Sequence, residues 1–527
     1  GGRIGVDSRL GQGSTFWFEV PLAASQTSKP PRAAQIDTRG LRVLTTTQDW
    51  VHELAAEHVD ILFAITHLQL LAPSALRVAR RWTINFHDGP LPEFAGLNTP
   101  VWGLLRGETE WGVTWHEVTA GVDTGAVLVQ RRFALSPQET SLSLNTANVE
   151  HALDSFSELL DQLSAGTLIP TPQRDDVQRR VYRRRDRPVA AGVLDWHSPA
   201  DALQRTVRAL HFGPHANPVG AALLWHPTAP AIVVDATVVD ATAVEGAVVD
   251  ATAVEGTAVG GTAVDGTVVP GRILACDERA LEVACGTQAL RITALTTLQG
   301  VRLDPAAWAR AAGVDAGSVL PALSPTEREL LSAAAQAAQP HEAALTVVLR
   351  DHEPAEFPWP HRGAPGPTAG SLPVQLPLSW PATLPAAHAA AALGIVLGRL
   401  TGAAAPTVAL ALTPASDTPT GVLSSTTPLA LPGSAPTVGE AVTAAHQALA
   451  DAERRGPWLI DLLARTPELA GRAEFADGLQ LPVALRPAAT AAAAPGALVT
   501  VQHTATGWQL AYDATVIDAT DAQLFAD

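Results

Sequence analysis

Asn85, His87 and Asp123 have side chains that can do chemistry together. Asn85 and His87 are two residues apart, so on an extended strand both point to one side. Asp123 lies in the stretch GVDTG (121–125), whose flanking glycines let the backbone turn back toward that strand. An amide donor, an imidazole and a carboxylate brought together are the parts that acyl transfer needs. One polarises a carbonyl, one moves a proton and one fixes the imidazole. Taken alone, His87 reads better as an incidental histidine in a Pro-rich turn between core strands.

The elements that must position the three run from Ile84 to Gln130. The pattern predicts a strand, a Pro- and Gly-rich loop, a short helix, a second strand over 112–118, a turn at 120–125 and a third strand. Upstream, Leu41–Leu44 reads as a strand, and about 49–58 as a helix with Trp50, Leu54 and Ala55 on one face. Residues 60–65 then read as a buried strand, followed by a helix from Pro73. Strand alternating with helix predicts an α/β domain on a parallel sheet. Downstream, Val149, Leu153, Phe156, Leu159 and Leu160 recur at helical spacing over 140–163, which predicts one apolar stripe packed on the sheet.

The pairing of NFHDGPLP with GVDTG resembles the formyltransferase family, which moves a formyl group from 10-formyltetrahydrofolate to an amine. The wording INFHDGPLP, AGLN and GVTWH is most similar to the formyltransferase-like modules attached to nonribosomal peptide synthetases. The resemblance implies a Rossmann-like parallel-sheet catalytic domain over 41–172 and a small barrel-like C-terminal domain over 173–305. Carried over by position, Asn85, His87 and Asp123 match the family's catalytic Asn, His and Asp. The implied co-substrate is 10-formyltetrahydrofolate, held largely by loop backbone after the strands, here near Phe63, Ile65, Leu71, Val122 and Gly125. No metal is implied. The acceptor would be a small-molecule amine or a carrier-bound aminoacyl group, from an amino acid or a siderophore or peptide precursor. Downstream adenylation and carrier domains of a synthetase would be the partners. In the family, a further strand, helix and strand precede the one at Leu41; their loss would expose strand edges and leave the site less well supported. A catalytically inactive, truncated remnant serving as a docking or structural module is the alternative.

Within the second domain, Leu203, Val207 and Leu210 give a helix one buried face, and Phe212-Gly213-Pro214 stops it. His211 and His215 in that turn read as local polar contacts, because no Cys or carboxylate stands at ligand spacing. Residues 233–267 repeat in fives (VVDAT VVDAT AVEGA and so on). A period of five fits neither strand nor helix; a regular solenoid would give every unit a buried Val but lacks larger core residues, so an expanded acidic loop between two barrel strands is favoured. Cys285 alternates into the barrel core and reads as a buried, unreactive thiol. The run RRVYRRRDR (179–187) reads as a solvated linker.

Three outlying segments complete the chain. Residues 1–22 read as a β-hairpin and resemble the last Gly-rich block of sensor histidine kinase ATPase domains; two strands cannot make a nucleotide site. Residues 23–40 have linker composition, and 306–386 read as a helical, then Pro-rich, connector. Residues 387–527 resemble the C-terminal half of a condensation domain, an α+β scaffold here without the family's His-His motif.

A chain of 527 residues with 47% hydrophobic and 17% charged residues has material for two to four cores. Its formal net charge of −17 opposes nucleic acid phosphate, which argues against a tRNA acceptor. Two cysteines without a signal peptide point to the cytosol and no disulfide framework, and no apolar run is long enough to span a membrane. The chain has no Met and opens on Gly1-Gly2, as expected of a fragment or a mis-assigned start.

Overall fold

The computed structural model describes residues 3–9, 13–19, 59–65, 70–240, 269–354, 374–413, 419–472, 475, 479, 481–488 and 496–527. Packing divides the chain into two bodies, one of residues 1–95, 112–132 and 150–181, the other of 96–111, 133–149 and 182–527. The expected strand at Leu41–Leu44, the helix at 49–58 and the linker at 23–40 lie outside the described residues.

In chain order the first part gives β1 (Arg3–Arg9), β2 (Gly13–Glu19), β3 (Ile61–Ala64), α1 (Pro73–Leu76), β4 (Trp82–His87), β5 (Phe94–Gly96) and α2 (Thr99–Arg106). Then come β6 (Glu110–Glu117), β7 (Val127–Ala134), α3 (Ser141–Ala165) and β8 (Arg180–Tyr182). Strands β1 and β2 pair antiparallel as a hairpin. The site is carried by a sheet of order β3-β4-β6-β7. It is mixed: β3 runs parallel to β4, whereas β6 is antiparallel to β4. The expectation of a parallel sheet is therefore corrected for these strands.

Alternation on β4 separates structure from chemistry. Ile84 is fully buried and Phe86 packs beside it, in a cluster with Trp115, Leu128, Val129, Leu159 and Leu163. Asn85 and His87 take the opposite face. Trp115 is the anchor of the cluster, stacked on Phe156 at 5.0 Å and donating through Nε1 to Ser155 Oγ at 2.9 Å. Truncating so buried an aromatic costs about 3–5 kcal/mol.

Helix α3 corrects the predicted stripe. Val149 and Leu153 are 58% and 64% exposed, while Leu144, Asn148, Ser155, Leu159 and Leu163 are buried. The buried face is thus rotated from the most apolar one, because Ser155 satisfies its hydroxyl on the turn before and on Trp115.

The run 179–187 is likewise not a solvated linker. Arg180–Tyr182 forms β8 beside β5, and Tyr182 stacks on Trp102 with ring centroids 4.9 Å apart. Gly96 is required at this crossing, since a Cβ there would lie 2.0 Å from the Tyr182 carbonyl oxygen. Arg187 is buried and pairs with Glu342 at 2.7 Å.

In the second body, α4 (Ala200–Ala209) buries Leu203 and Val207 as predicted. The strands β9 (Leu223–Leu224), β10 (Ala231–Val239), β11 (Ile273–Cys276), β12 (Leu281–Ala284), β13 (Ala289–Thr297) and β14 (Arg302–Leu303) form one sheet. Its order is β11-β12-β13-β10-β9, with β14 on β13 and every pair antiparallel. Strand β10 corrects the reading of the repeat: residues 233–239 are ladder, not loop, paired from Val233↔Leu295 to Val239↔Ala289. Residues 241–268 lie outside the described residues.

Three helices come next in the chain, α5 (Pro305–Ala312), α6 (Pro325–Ala338) and α7 (Glu342–Asp351). Helix α6 opens with a capping box, Ser324 and Glu327 each holding the other's backbone N–H. Leu331 and Ala335 of α6 share a core with Ala191, Leu223, Trp225, Val422 and Leu459. The remaining elements are β15 (Glu353–Pro354), β16 (Val374–Pro377), α8 (Ala386–Thr401), β17 (Pro406–Ala411), β18 (Thr426–Ala430), α9 (Val438–Arg455), β19 (Val483–Arg486), β20 (Val499–Thr504), β21 (Gly507–Tyr512) and α10 (Ala519–Ala526). They build a mixed sheet of order β15-β17-β19-β20-β21-β16, with β18 on β17. Strand β16 falls in the expected Pro-rich connector and is not connector: it pairs antiparallel with β21.

Candidate active site

The β4–β6 ladder sets Asn85 opposite His116 and His87 opposite Thr114. Directly opposed residues in an antiparallel pair project to the same face, so four polar side chains meet away from the Trp115 core. Asn85 Nδ2 lies 3.1 Å from His116 Nε2. Asp123 stands between the two imidazoles, with Oδ2 3.7 Å from His87 Nδ1 and Oδ1 3.5 Å from His116 Nε2. His87 and His116 are 4% and 2% exposed. The structure therefore brings together all three residues expected from the sequence.

Hydrogen-bond partners fix the tautomers. His87 Nε2 lies 2.7 Å from the Phe94 carbonyl oxygen. A carbonyl only accepts, so Nε2 carries a proton and Nδ1 faces Asp123. His116 Nδ1 is 2.8 Å from the Glu117 carbonyl oxygen, which assigns the proton there and leaves Nε2 to accept from Asn85. The second Nδ2 hydrogen of Asn85 is not used by that bond.

Backbone geometry puts Asp123 in reach. Asp123 itself has φ 47°, a left-handed conformation that Asp tolerates better than most residues. Gly125 has no alternative, because a Cβ there would lie 1.8 Å from the Glu117 carbonyl oxygen. Thr119 and Thr124 join their hydroxyls across the loop at 2.7 Å.

Two contributors were not predicted, His116 and the Phe94 carbonyl. The signal for His116 was present in GVTWH: once 85 and 116 are in register, alternation puts His116 on the face of Asn85. No side-chain signal marks Phe94, which acts through its backbone. Among the residues expected at a folate loop, Val122 and Gly125 flank Asp123. Ala64 pairs with Asn85, so Ile65, 49% exposed, begins the loop at that sheet end, and Leu71 lies beyond the undescribed 66–69. Phe63 is otherwise occupied, edge-on to Trp115 and Phe156 at 6.4 and 5.3 Å. Among the described residues no group of three or more His, Cys, Asp or Glu could hold a metal ion, and no helix is long and apolar enough to cross a membrane.

Two parts of the chain match a known family. Residues 22–158 match the family described as formyl transferase, and 189–313 the formyl transferase C-terminal domain. Over 160 residues the chain is 33% identical to a methionyl-tRNA formyltransferase of Synechococcus sp. (strain JA-3-3Ab), covering 30% of this chain and 48% of that protein. The chain thus spans about half the length of that relative. Similar solved structures include HypX from Aquifex aeolicus in complex with tetrahydrofolic acid, with 21% identity, TM-score 0.34 and coverage of 50% of this chain and 40% of that one. An N-formyltransferase from Helicobacter canadensis, in complex with folinic acid and dTDP-3-aminofucose, has 14% identity and TM-score 0.31, covering 44% and 72%. Residues 22–158 and 189–313 are thus similar to the two domains of the formyltransferase family.

Proposed function

We propose that the chain transfers a formyl group from 10-formyltetrahydrofolate to an amine. The observation that carries this reading is the meeting of Asn85, His87, His116 and Asp123 at one end of the β4–β6 ladder. A neutral amine attacks the formyl carbon, and negative charge develops on the formyl oxygen. Asn85 offers that oxygen its second Nδ2 hydrogen, and His87, when protonated at Nδ1, offers another donor. Phe94 holds the far side of the His87 ring, so its orientation does not depend on Asp123 alone. Asp123 then relays the proton lost by the attacking amine toward the departing folate nitrogen. Backbone around Val122 and Gly125 forms one wall for the folate.

The acceptor we favour is an amine of an amino acid or of a siderophore or peptide precursor, free or carried by a synthetase. Its support is the wording INFHDGPLP and GVTWH together with the net charge of −17, which opposes a tRNA. The test is turnover of 10-formyltetrahydrofolate with a panel of such amines, monitored by formylated product and by tetrahydrofolate release. Turnover lost in both His87→Ala and Asp123→Asn supports the assignment. Turnover unaffected by either change places the chemistry elsewhere, and no folate binding by the unaltered protein overturns the reading.

A further inference from the structure

We propose that Gln173 and Arg179 are positioning residues, which hold the Asp123 loop in its working geometry by donating to three carbonyls at its tip. The proposal rests on the reading of Asp123 just given. Gln173 Nε2 donates to the carbonyl oxygens of Asp123 at 2.7 Å and of Gly125 at 2.8 Å. One amide nitrogen has two hydrogens, so each carbonyl receives one, and the amide turned over would set oxygen against oxygen. Arg179 Nη2 donates to the Val122 carbonyl. Both side chains are half-buried.

The two residues lie on a strap whose ends are tied. At one end Thr171 and Val127 exchange two backbone hydrogen bonds of 2.8 Å. At the other, Arg180 N donates to the Glu93 carbonyl oxygen at 3.1 Å. Glu93 immediately precedes Phe94, whose carbonyl oxygen holds His87. One strap therefore reaches both the loop that bears Asp123 and the strand that orients His87. A loop with a left-handed residue at its tip has no ladder of its own to keep it there. Hydrogen bonds to its carbonyls from an anchored strap supply that restraint.

Gln173→Glu tests this, because it keeps the shape and removes both donors. Two measurements on the full chain are needed. The first is hydrogen exchange of peptides covering 118–126, read beside β4 as an internal control. The variant is expected to exchange about tenfold faster there and unchanged in β4, as loss of a pair of hydrogen bonds implies. The second is formyl transfer in two backgrounds. Gln173→Glu should lower kcat by about 10–100-fold in the unaltered chain, and by less than about twofold in the Asp123→Asn background, because residues acting through one another are not additive. Arg179→Gln should show the same pattern more weakly. Unchanged exchange at 118–126 overturns the proposal whatever the turnover. Faster exchange with an equal loss of kcat in both backgrounds also overturns it, since the strap then acts elsewhere than through Asp123. Faster exchange in a chain that never transfers formyl retires the proposed function and leaves the restraint on the loop established.

Discussion

Asn85 Nδ2 and His116 Nε2 lie 3.1 Å apart across the β4–β6 ladder, and this contact decides where the Asn85 amide points. With one hydrogen committed to His116, the other has a fixed direction. His116→Leu should therefore leave folate affinity within about twofold and lower kcat by about 10–100-fold, as for loss of an aligned oxyanion donor. Steady-state kinetics with a folate titration separates the two. A loss seen only in KM would place His116 in substrate binding.

For the proposed acid–base pair, Asp123 and His87, the expected losses are larger. Asp123→Asn keeps the shape and loses the charge, so the rate should fall by about 10²–10⁴-fold. His87→Ala should be similarly severe, and the double variant little worse than either, because the two act as one unit. Single-turnover measurement at saturating folate reads the chemical step directly.

Asn85, His87 and Asp123 could be named from the sequence because NFHDGPLP and GVDTG carry the resemblance to the formyltransferase family. His116 was readable only after pairing register was known, and the roles of Phe94 and Gln173 only after folding, because they turn on backbone carbonyls. The fold shows the same division. Alternation predicted the strands of the site, and amphipathic spacing predicted α4. Periodicity misplaced the buried face of α3, where Ser155 bonds Trp115 and Val149 and Leu153 stay exposed. An arginine run read as solvated because sequence cannot show that Glu342 lies 155 positions from Arg187 and 2.7 Å away in space.

That ion cluster carries its own prediction. Glu342 pairs with both Arg187 and Arg465, and Arg465 pairs in turn with Asp461 at 3.2 Å; all four are buried. Glu342→Ala leaves two buried guanidinium groups short of a carboxylate and should cost about 3–5 kcal/mol in urea unfolding. Asp176→Asn, which removes the exposed partner of Arg174, should leave the midpoint unmoved. Equal effects from the two variants would remove the burial argument.

Burial also governs the thiols. The Cys285 thiol is pushed up to about 12 by desolvation, and Cys276 is raised by burial and then by Asp277 and Asp304. At pH 8 an alkylating reagent should label Cys276 slowly and Cys285 only after unfolding, read by peptide mass. The unfolded Cys285 thiol ionises first, near its ordinary 9.0, so the folded state binds more protons above that pH. Its contribution to stability is whole below about 9 and is lost as pH rises toward 12.

The repeat on β10 gives the sharpest contrast. Residues 233–237 read VVDAT, and residues 238–242 repeat VVDAT in full. Deleting 233–237 lets the next unit slide into the same ladder positions, so the pairing with β13 is rebuilt with only Val238 replaced by Ala, at a half-buried position. That should cost no more than about 1 kcal/mol in unfolding free energy. Deleting 233–236 removes one residue fewer and is expected to be far worse. It brings Thr237 to the place of Val233 and Asp240 to that of Ala236, positions each 3% exposed. A carboxylate forced into that face, or the strand slipped by one residue to avoid it, reverses which side chains meet the core. Urea unfolding of the two deletions decides the matter: similar midpoints would show that residues 233–239 do not depend on their register with β13.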